Sequence, residues 1–314
     1  MRSSCDAGTI PVLLCMIERV YKSGTQFLSD LIESILTLLR TLLQSRWPTP
    51  LPPRRQVVCS VLGNGPSLGD TLRNHISFLQ QTELVCVNNF AHSPYFAQLR
   101  PQNYVIVDPN YFVFTEQSTD RPDIRQTIDA FRTVVDWPMT LYVPRFARDS
   151  YVIQTIRTGN PTIQMVFINH SVARGFRWFR HWLYRTGWGM MQSQTVIVAA
   201  LFLMINRRFD TIYLFGADQS WHEQIRLDEG NQVLMQQLHF YEQAQDVAYQ
   251  PIYSDKHRTK TDSMAGQFLS LHKAFRGYEV LREYADATGI RIFNASSKSY
   301  IDALERVKLT PENA

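Results

Sequence analysis

From residue 56 onward the chain alternates apolar runs with helical periodicities. The apolar, β-branched run 57–62 stops at Gly63-Asn64-Gly65-Pro66-Ser67, and Leu68, Leu72, Ile76 and Leu79 then recur at helical spacing. An apolar run bounded by turn residues predicts a buried strand. The glycines predict a tight turn, and Ser67 is the expected cap of the helix that follows. The same pattern predicts further strands at 84–88, 104–107, 140–143, 162–168, 211–215 and 290–293. Helices are expected at 68–79, 124–135, 147–157, 190–205 and 264–288. Strands alternating with helices build a mostly parallel sheet flanked by helices, an α/β fold.

The first 46 residues follow a different rule. Phe27, Leu28, Leu31, Ile32, Ile35, Leu38, Leu39, Leu42 and Leu43 recur at helical spacing, with Lys22, Arg40 and Arg46 as cations and Trp47 at the end. This predicts an amphipathic helical extension. It either packs on the main domain or a partner subunit of a homo-oligomer, or lies on an anionic membrane surface. Residues 47–55 (Trp47-Pro-Thr-Pro-Leu-Pro-Pro-Arg-Arg55) form a stiff linker, since successive prolines cannot continue a helix. Residues 56–314 are then the catalytic-size domain. Within it, the patch Phe176-Arg-Trp-Phe-Arg-His-Trp-Leu-Tyr-Arg185, continuing to Trp188, lies in a region near 145–188 expected to be an insertion. It is either an amphipathic helix packed on the core or a basic aromatic lid over a site or membrane-facing lip.

A length of 314 residues fits one large domain or one and a half. The net charge of +4 is mild, but its distribution is uneven. No carboxylate lies between Asp149 and Asp210, where Arg157, Arg174, Arg177, Arg180, Arg185, Arg207 and Arg208 fall. Such a stretch favours anionic partners. No nucleic-acid module is legible, so nucleic acid is not expected. Cys5, Cys15, Cys59 and Cys86 show no metal spacing and no disulfide framework, which makes a reducing cytoplasm the default. No signal peptide is expected, and no apolar segment reaches the ~18–20 residues of a bilayer span.

Ligands of parallel α/β sheets bind beyond the strand C-termini. Here those ends are Gly63-Asn64-Gly65, Asn88-Asn89, Asp108-Pro109-Asn110 and Gly216-Ala217-Asp218, all polar. A glycine turn lets backbone approach a ligand, and a helix N-terminus suits a phosphate or carboxylate. The chain has no Asp-x-Asp pair of the kind that holds a divalent metal on a diphosphate, so no metal is expected.

Gly63-Asn-Gly-Pro-Ser67, Val87-Asn-Asn-Phe90 and Ile212-Tyr-Leu-Phe-Gly-Ala-Asp218 resemble the core of the bacterial sialyltransferases, CMP-sialic-acid-dependent enzymes with one Rossmann-like domain. The wider group is similar to proteins related to the archaeal 6-hydroxymethylpterin pyrophosphokinase. The resemblance spans residues 57–300 in order of elements and leaves out 1–55 and 145–185. It implies a single-domain, inverting, metal-independent glycosyltransferase. The enzyme would move an acidic sugar (sialic acid, Kdo or a relative) from a CMP donor to a glycan or lipid-linked glycan acceptor. That activity belongs to bacterial surface polysaccharide synthesis, lipopolysaccharide or capsule, on the inner face of the cytoplasmic membrane, with no cofactor beyond the donor. Asn64, Asn88 and Ser193 would contact the donor, with Gly63, Gly65, Ser67, Asp108, Gly216 and Asp218 completing its site. The family's general base is a histidine ahead of a late strand; His272 holds that place and His257 is its rival. Two tyrosines hold the leaving phosphate in the family; this chain departs from that, with Trp221 and His222 in the region where the first would lie. His222, Arg226, Lys256 and Arg258 are the candidates to replace them. Alternatives are a pyrophosphokinase-like enzyme using ATP, and a nucleotide-binding protein without chemistry.

Overall fold

All seven strands expected from the apolar runs form. In chain order the strands are β1 (Val58–Leu62), β2 (Glu83–Val87), β3 (Asn103–Val105), β4 (Met139–Pro144), β5 (Ile163–Ile168), β6 (Thr211–Phe215), β7 (Ile225–Leu227), β8 (Val233–Met235), β9 (Gln250–Pro251), β10 (Arg291–Asn294) and β11 (Glu305–Arg306). The helices are α1 (Thr9–Gln44), α2 (Leu68–Asn74), α3 (Ile76–Gln80), α4 (Tyr95–Leu99) and α5 (Pro109–Val113). They continue as α6 (Pro122–Thr133), α7 (Tyr151–Gly159), α8 (Arg177–Thr186), α9 (Val196–Asn206) and α10 (Met264–Thr288). This is a computed structural model, and it describes residues 9–242, 247–253 and 261–309. The chain divides into two units, one of residues 1–48 with 169–190 and one of residues 49–168 with 191–314.

The larger unit carries an eight-stranded sheet in the order β11-β10-β6-β1-β2-β3-β4-β5, every neighbouring pair parallel. Its central strands are apolar throughout because helices cover them: β2 and β4 are buried along their whole length. Helix α9 (VIVAALFLMIN) is buried at all of Ile197–Ile205 and packs on β1, β2, β3 and α10. A helix apolar on every side belongs in such a layer. Helix α10 has the limits its sequence signals give: Ser263 Oγ caps Gly266 N at 3.0 Å, and Gly289 ends it at φ +73°. Strands β7, β8 and β9 make a separate antiparallel sheet.

Three local expectations change. The helix expected at 68–79 is two helices, because His75 takes non-helical dihedrals (φ −132°, ψ 24°). Ser67 makes no capping bond; its hydroxyl is committed to Asp218 at 2.5 Å. The helix expected from 190 starts at Val196, where Thr195 is extended and caps Val198 N.

At the opposite, N-terminal edge of the strands lies a buried ion pair. Arg207 and Glu83, with side chains 2% and 1% exposed, meet at 2.7 Å. Arg207 also donates to Asn103 Oδ1 (2.8 Å) and to the carbonyls of Pro52 (2.9 Å) and Pro53 (2.8 Å). Glu83 accepts from Arg55 N (2.6 Å) and Asn103 Nδ2 (2.9 Å). Arg207 therefore does not belong with the arginines available to an anionic partner: it is consumed in tying the proline segment to the sheet.

In the smaller unit, α1 meets residues 169–190 through polar contacts. Ser34 Oγ accepts from Phe176 N (3.0 Å) and Thr37 Oγ1 from Arg174 N (3.0 Å). Arg40 donates to Val172 O (3.0 Å), and Ser45 to Trp188 O (2.7 Å). Gly175 has φ +93°, and a Cβ there would stand 2.6 Å from Ser34 N, so the approach needs glycine. Among the described side chains of α1, the apolar ones, including Leu28, Ile32, Ile35, Leu39 and Leu42, are exposed.

Candidate functional site

The β1–α2 turn and the end of β6 approach each other with nothing between them. Gly63 N donates to Phe215 O and Gly65 N to Gly216 O, both at 2.8 Å. A Cβ on Gly63 would stand 2.5 Å from Gly216 O, and one on Gly216 (φ +63°) 2.7 Å from both Gly63 O and Leu68 Cβ. Glycine at these positions is what lets the two loops close into one floor. Above it, at the C-terminal ends of β1, β2, β3 and β6, lies a cavity of about 400 Å³ whose lining all belongs to the larger unit. That is the size and the place expected of a small-molecule site in a parallel sheet.

The lining is rich in amides. Asn64, Asn88, Asn89, Gln194, Gln219, Gln224 and Gln237 all contribute. Asn64 Nδ2 donates to Val87 O at 3.0 Å, which fixes the side chain across the β1–β2 seam. Asn88 sits in the left-handed region (φ 44°), and its carbonyl accepts from Tyr104 Oη at 2.5 Å. Asn64 Oδ1, Asn88 Oδ1 and Gln224 Oε1 are buried and meet no donor among the described residues. A buried acceptor left unmatched costs about 1–3 kcal/mol, so these oxygens favour a ligand that brings donors.

One wall is a polar network that ends on a cation. Arg121 donates through Nε and Nη2 to the two oxygens of Asp123, at 2.9 and 2.6 Å. Asn89 Nδ2 donates to the same carboxylate at 3.2 Å, and Tyr111 Oη holds Asn89 Oδ1 in turn. Burial opposes charge on Asp123, but the bonds from Arg121 and Asn89 outweigh it and keep the carboxyl below its usual range. Behind it, burial pushes His92 below the usual histidine value; its Nε2 lies 2.9 Å from Asp123 O and 2.8 Å from Thr127 Oγ1. Arg121 is the one arginine or lysine in the lining among the described residues.

The β6 end supplies Asp218, 4% exposed. Burial lifts its carboxyl above the usual value, while Ser67 Oγ (2.5 Å) and Ser67 N (3.1 Å) partly offset that by donating to it. Gln219 follows at φ 51° and donates to Tyr278 Oη at 2.5 Å; the same phenol lies 3.3 Å from Thr195 Oγ1. Tyr278, buried on α10, thereby fixes two lining residues from separate loops.

Of the donor residues expected from sequence, Asn64, Gly65, Asn88, Asp108, Ser193, Gly216 and Asp218 line this one cavity. Gly63 and Ser67 lie beneath it, as floor and as the clamp on Asp218. Asp108 also caps α5, accepting from Asn110 N at 2.9 Å. The two described phosphate candidates fall elsewhere. His222 is exposed, edge-on to Tyr300 with ring centres 4.4 Å apart, and Arg226 lies over Tyr249 at 4.4 Å. Trp221 does line the cavity. His272 stands on an exposed face of α10, outside the lining. His257, Lys256 and Arg258 lie outside the described residues.

The structure adds groups that the sequence reading missed. His239 lines the cavity, 2.7 Å from Glu242 through Nδ1 and stacked on Tyr241 (5.2 Å, 6°). Arg121 and Asp123 carried a faint signal, as a charge pair around Pro122 at the start of a helix. His239 carried none.

No protein-family model matches the chain, and no curated protein matches it. Among solved structures, the MAf glycosyltransferase from Magnetospirillum magneticum AMB-1 is similar with a TM-score of 0.47 and 11% identity, over 88% of this chain and 38% of that one. The chain thus spans well under half the length of that protein. This is a distant structural resemblance to a glycosyltransferase. The apo structure of FabMG, described as a novel type of enoyl-acyl carrier protein reductase, gives a TM-score of 0.18 and 10% identity, over 80% of this chain and 63% of that one.

Proposed function

We propose that the chain is an inverting glycosyltransferase that moves an acidic sugar from a CMP donor to a glycan acceptor. The observation that carries this reading is the pair of unmatched acceptors, Asn64 Oδ1 and Asn88 Oδ1, at the ends of adjacent strands beside a glycine floor. A nucleoside offers the donors they lack, through its ribose hydroxyls and the exocyclic amine of cytosine. The motifs that resemble the bacterial sialyltransferases are the same residues.

In the reaction the acceptor oxygen bonds to the anomeric carbon as the bond to the phosphate oxygen breaks, and CMP leaves. Positive charge builds on the sugar and negative charge on the departing phosphate. Arg121, held in place by Asp123, is the lining cation suited to that phosphate or to the sugar carboxylate. The acceptor proton needs a base, and His239 is the lining histidine among the described residues. With Glu242 accepting from Nδ1–H, Nε2 is left as the proton acceptor. A donor with one phosphate has no diphosphate for a metal to bridge, so the reading needs no metal.

Calorimetry with CMP tests the binding half. Asn64→Ala is expected to weaken CMP binding by about 5–150-fold, the worth of a lost hydrogen bond in a buried polar site, while the fold persists. Unchanged affinity removes the assignment, and tight binding of ATP with none of CMP moves the protein to the pyrophosphokinase reading. Turnover at saturating donor tests the base. His239→Ala should lose about 10²–10⁴ in rate. If His257→Ala or His272→Ala is the dead variant and His239→Ala is active, the proton is taken there instead.

A further inference from the structure

The smaller unit holds an amphipathic helix turned inside out. The face of α1 that meets residues 169–190 carries Ser34, Thr37 and Arg40, joined to them by hydrogen bonds, with buried Thr41 beside them and Ser45, just past the helix end, making another. The face left open carries Leu28, Ile32, Ile35, Leu39, Leu42 and Leu43, each between 49% and 78% exposed. Apolar patches of that extent on a soluble surface mark an interaction site. The patch continues beyond the helix. Phe27 meets Phe176 at 5.3 Å and Phe176 stacks on Trp178 at 6.5 Å, so aromatic contact runs from α1 to α8. On α8, Trp178 (70% exposed) and Trp182 stand one turn apart on the outer side, and Trp47 extends the α1 end of the patch.

Charge decides what covers this surface. Residues 169–190 hold Arg174, Arg177, Arg180 and Arg185 and no carboxylate, while α1 balances Glu18, Asp30 and Glu33 (the last 4.0 Å from Arg174) against Arg19, Lys22 and Arg40, so the two segments together stay net positive. A second copy would bring the same arginines to the contact, whereas an anionic bilayer complements them. Tryptophans beside leucines and arginines are the composition of a helix seated at the headgroup level. No described helix is long and apolar enough to cross a membrane. We propose that α1 and α8 together form a docking surface that lies on an anionic lipid bilayer, with the leucine face of α1 and the tryptophans of α8 entering it. This goes beyond the sugar-transfer reading and does not depend on it.

Co-sedimentation of the full chain with vesicles tests it. Vesicles of phosphatidylcholine and phosphatidylglycerol, at about three to one, are expected to bring the protein down, and pure phosphatidylcholine to bring down far less. Each arginine near an anionic surface is worth roughly fivefold in partitioning, so Arg177→Gln with Arg185→Gln should weaken binding by roughly 30-fold at low salt. Ile35→Glu with Leu39→Glu should abolish it; both side chains are exposed, and circular dichroism confirms that the helix persists. Tryptophan emission should shift to the blue on the anionic vesicles, and less so in Trp178→Phe with Trp182→Phe. A chain that stays in the supernatant with anionic vesicles overturns the proposal. So does a stable dimer in light scattering that Ile35→Glu with Leu39→Glu converts to monomer, for the occupant is then a second copy.

Discussion

Replacing Arg207 by leucine removes the charge partner of a carboxylate that is 1% exposed. Glu83 keeps its bonds from Arg55 N and Asn103 Nδ2, but these are neutral donors and do not cancel its charge. Stranding one half of a buried ion pair costs about 3–5 kcal/mol, against about 5–15 kcal/mol for a whole domain. Three further donations, to Asn103, Pro52 and Pro53, are lost with the guanidinium, which places the expectation at the upper end of the range. Urea unfolding followed by far-ultraviolet circular dichroism reads the effect. With a slope of about 3 kcal/mol per molar, the midpoint should fall by about 1.7 M while the slope holds. Adding Glu83→Gln to Arg207→Leu should recover about 2 kcal/mol or more, since an amide keeps the acceptor for Arg55 N and removes the stranded charge. A loss under about 1 kcal/mol, or a double variant no better than the single one, refutes the assignment of this pair as the fastening of the proline segment.

Two other outcomes follow from the site. Gly216→Ala places a Cβ against Gly63 O and Leu68 at a positive φ, and should lower thermal stability by about 2–4 kcal/mol and weaken CMP binding; a fully stable variant would show that the floor can yield. Burial raises the Asp218 carboxyl above its ordinary value of 3.8, so below that value both states are protonated, and stability is lost as pH rises through the folded value. Asp218→Asn removes that loss: denaturation at a series of pH values should show the variant gaining on the native chain from acid toward neutral pH, and a pH-independent difference would contradict the burial argument.

What the sequence made legible is what burial makes periodic. The run at 57–62 and its partner at 211–215 are apolar because both sheet faces are covered, and α10 carries its own start and stop in Ser263 and Gly289. The polar strand ends were legible for the same reason, since Asn64, Asn88 and Asp218 interrupt apolar runs. Arg121, Asp123 and His239 were not, because loops bring them to the cavity and only the topology sets where loops meet. The short strands β7 to β9 run for only two or three residues each, too few to leave an alternating pattern. Arg207 counts as a surface cation in any tally of charge, although its buried partner lies more than a hundred positions earlier. The periodicity of α1 foretold two faces; which one turns outward depended on the backbone groups that residues 169–190 offer it.

The strand order has a consequence for how the chain assembles. Reading outward from β1, the sheet grows to one side through β2, β3, β4 and β5, and then to the other through β6, β10 and β11. Each new strand joins an open edge as it leaves the ribosome, and none has to be threaded between two already paired. The free side of β1 must nevertheless wait for residues 211–215, about 150 residues of synthesis later. Until then an apolar strand edge stands open, of the kind that recruits a neighbouring chain. The cavity lies on that seam, so a nascent chain holds no complete binding site, and the moment that closes the edge is also the moment that creates the site.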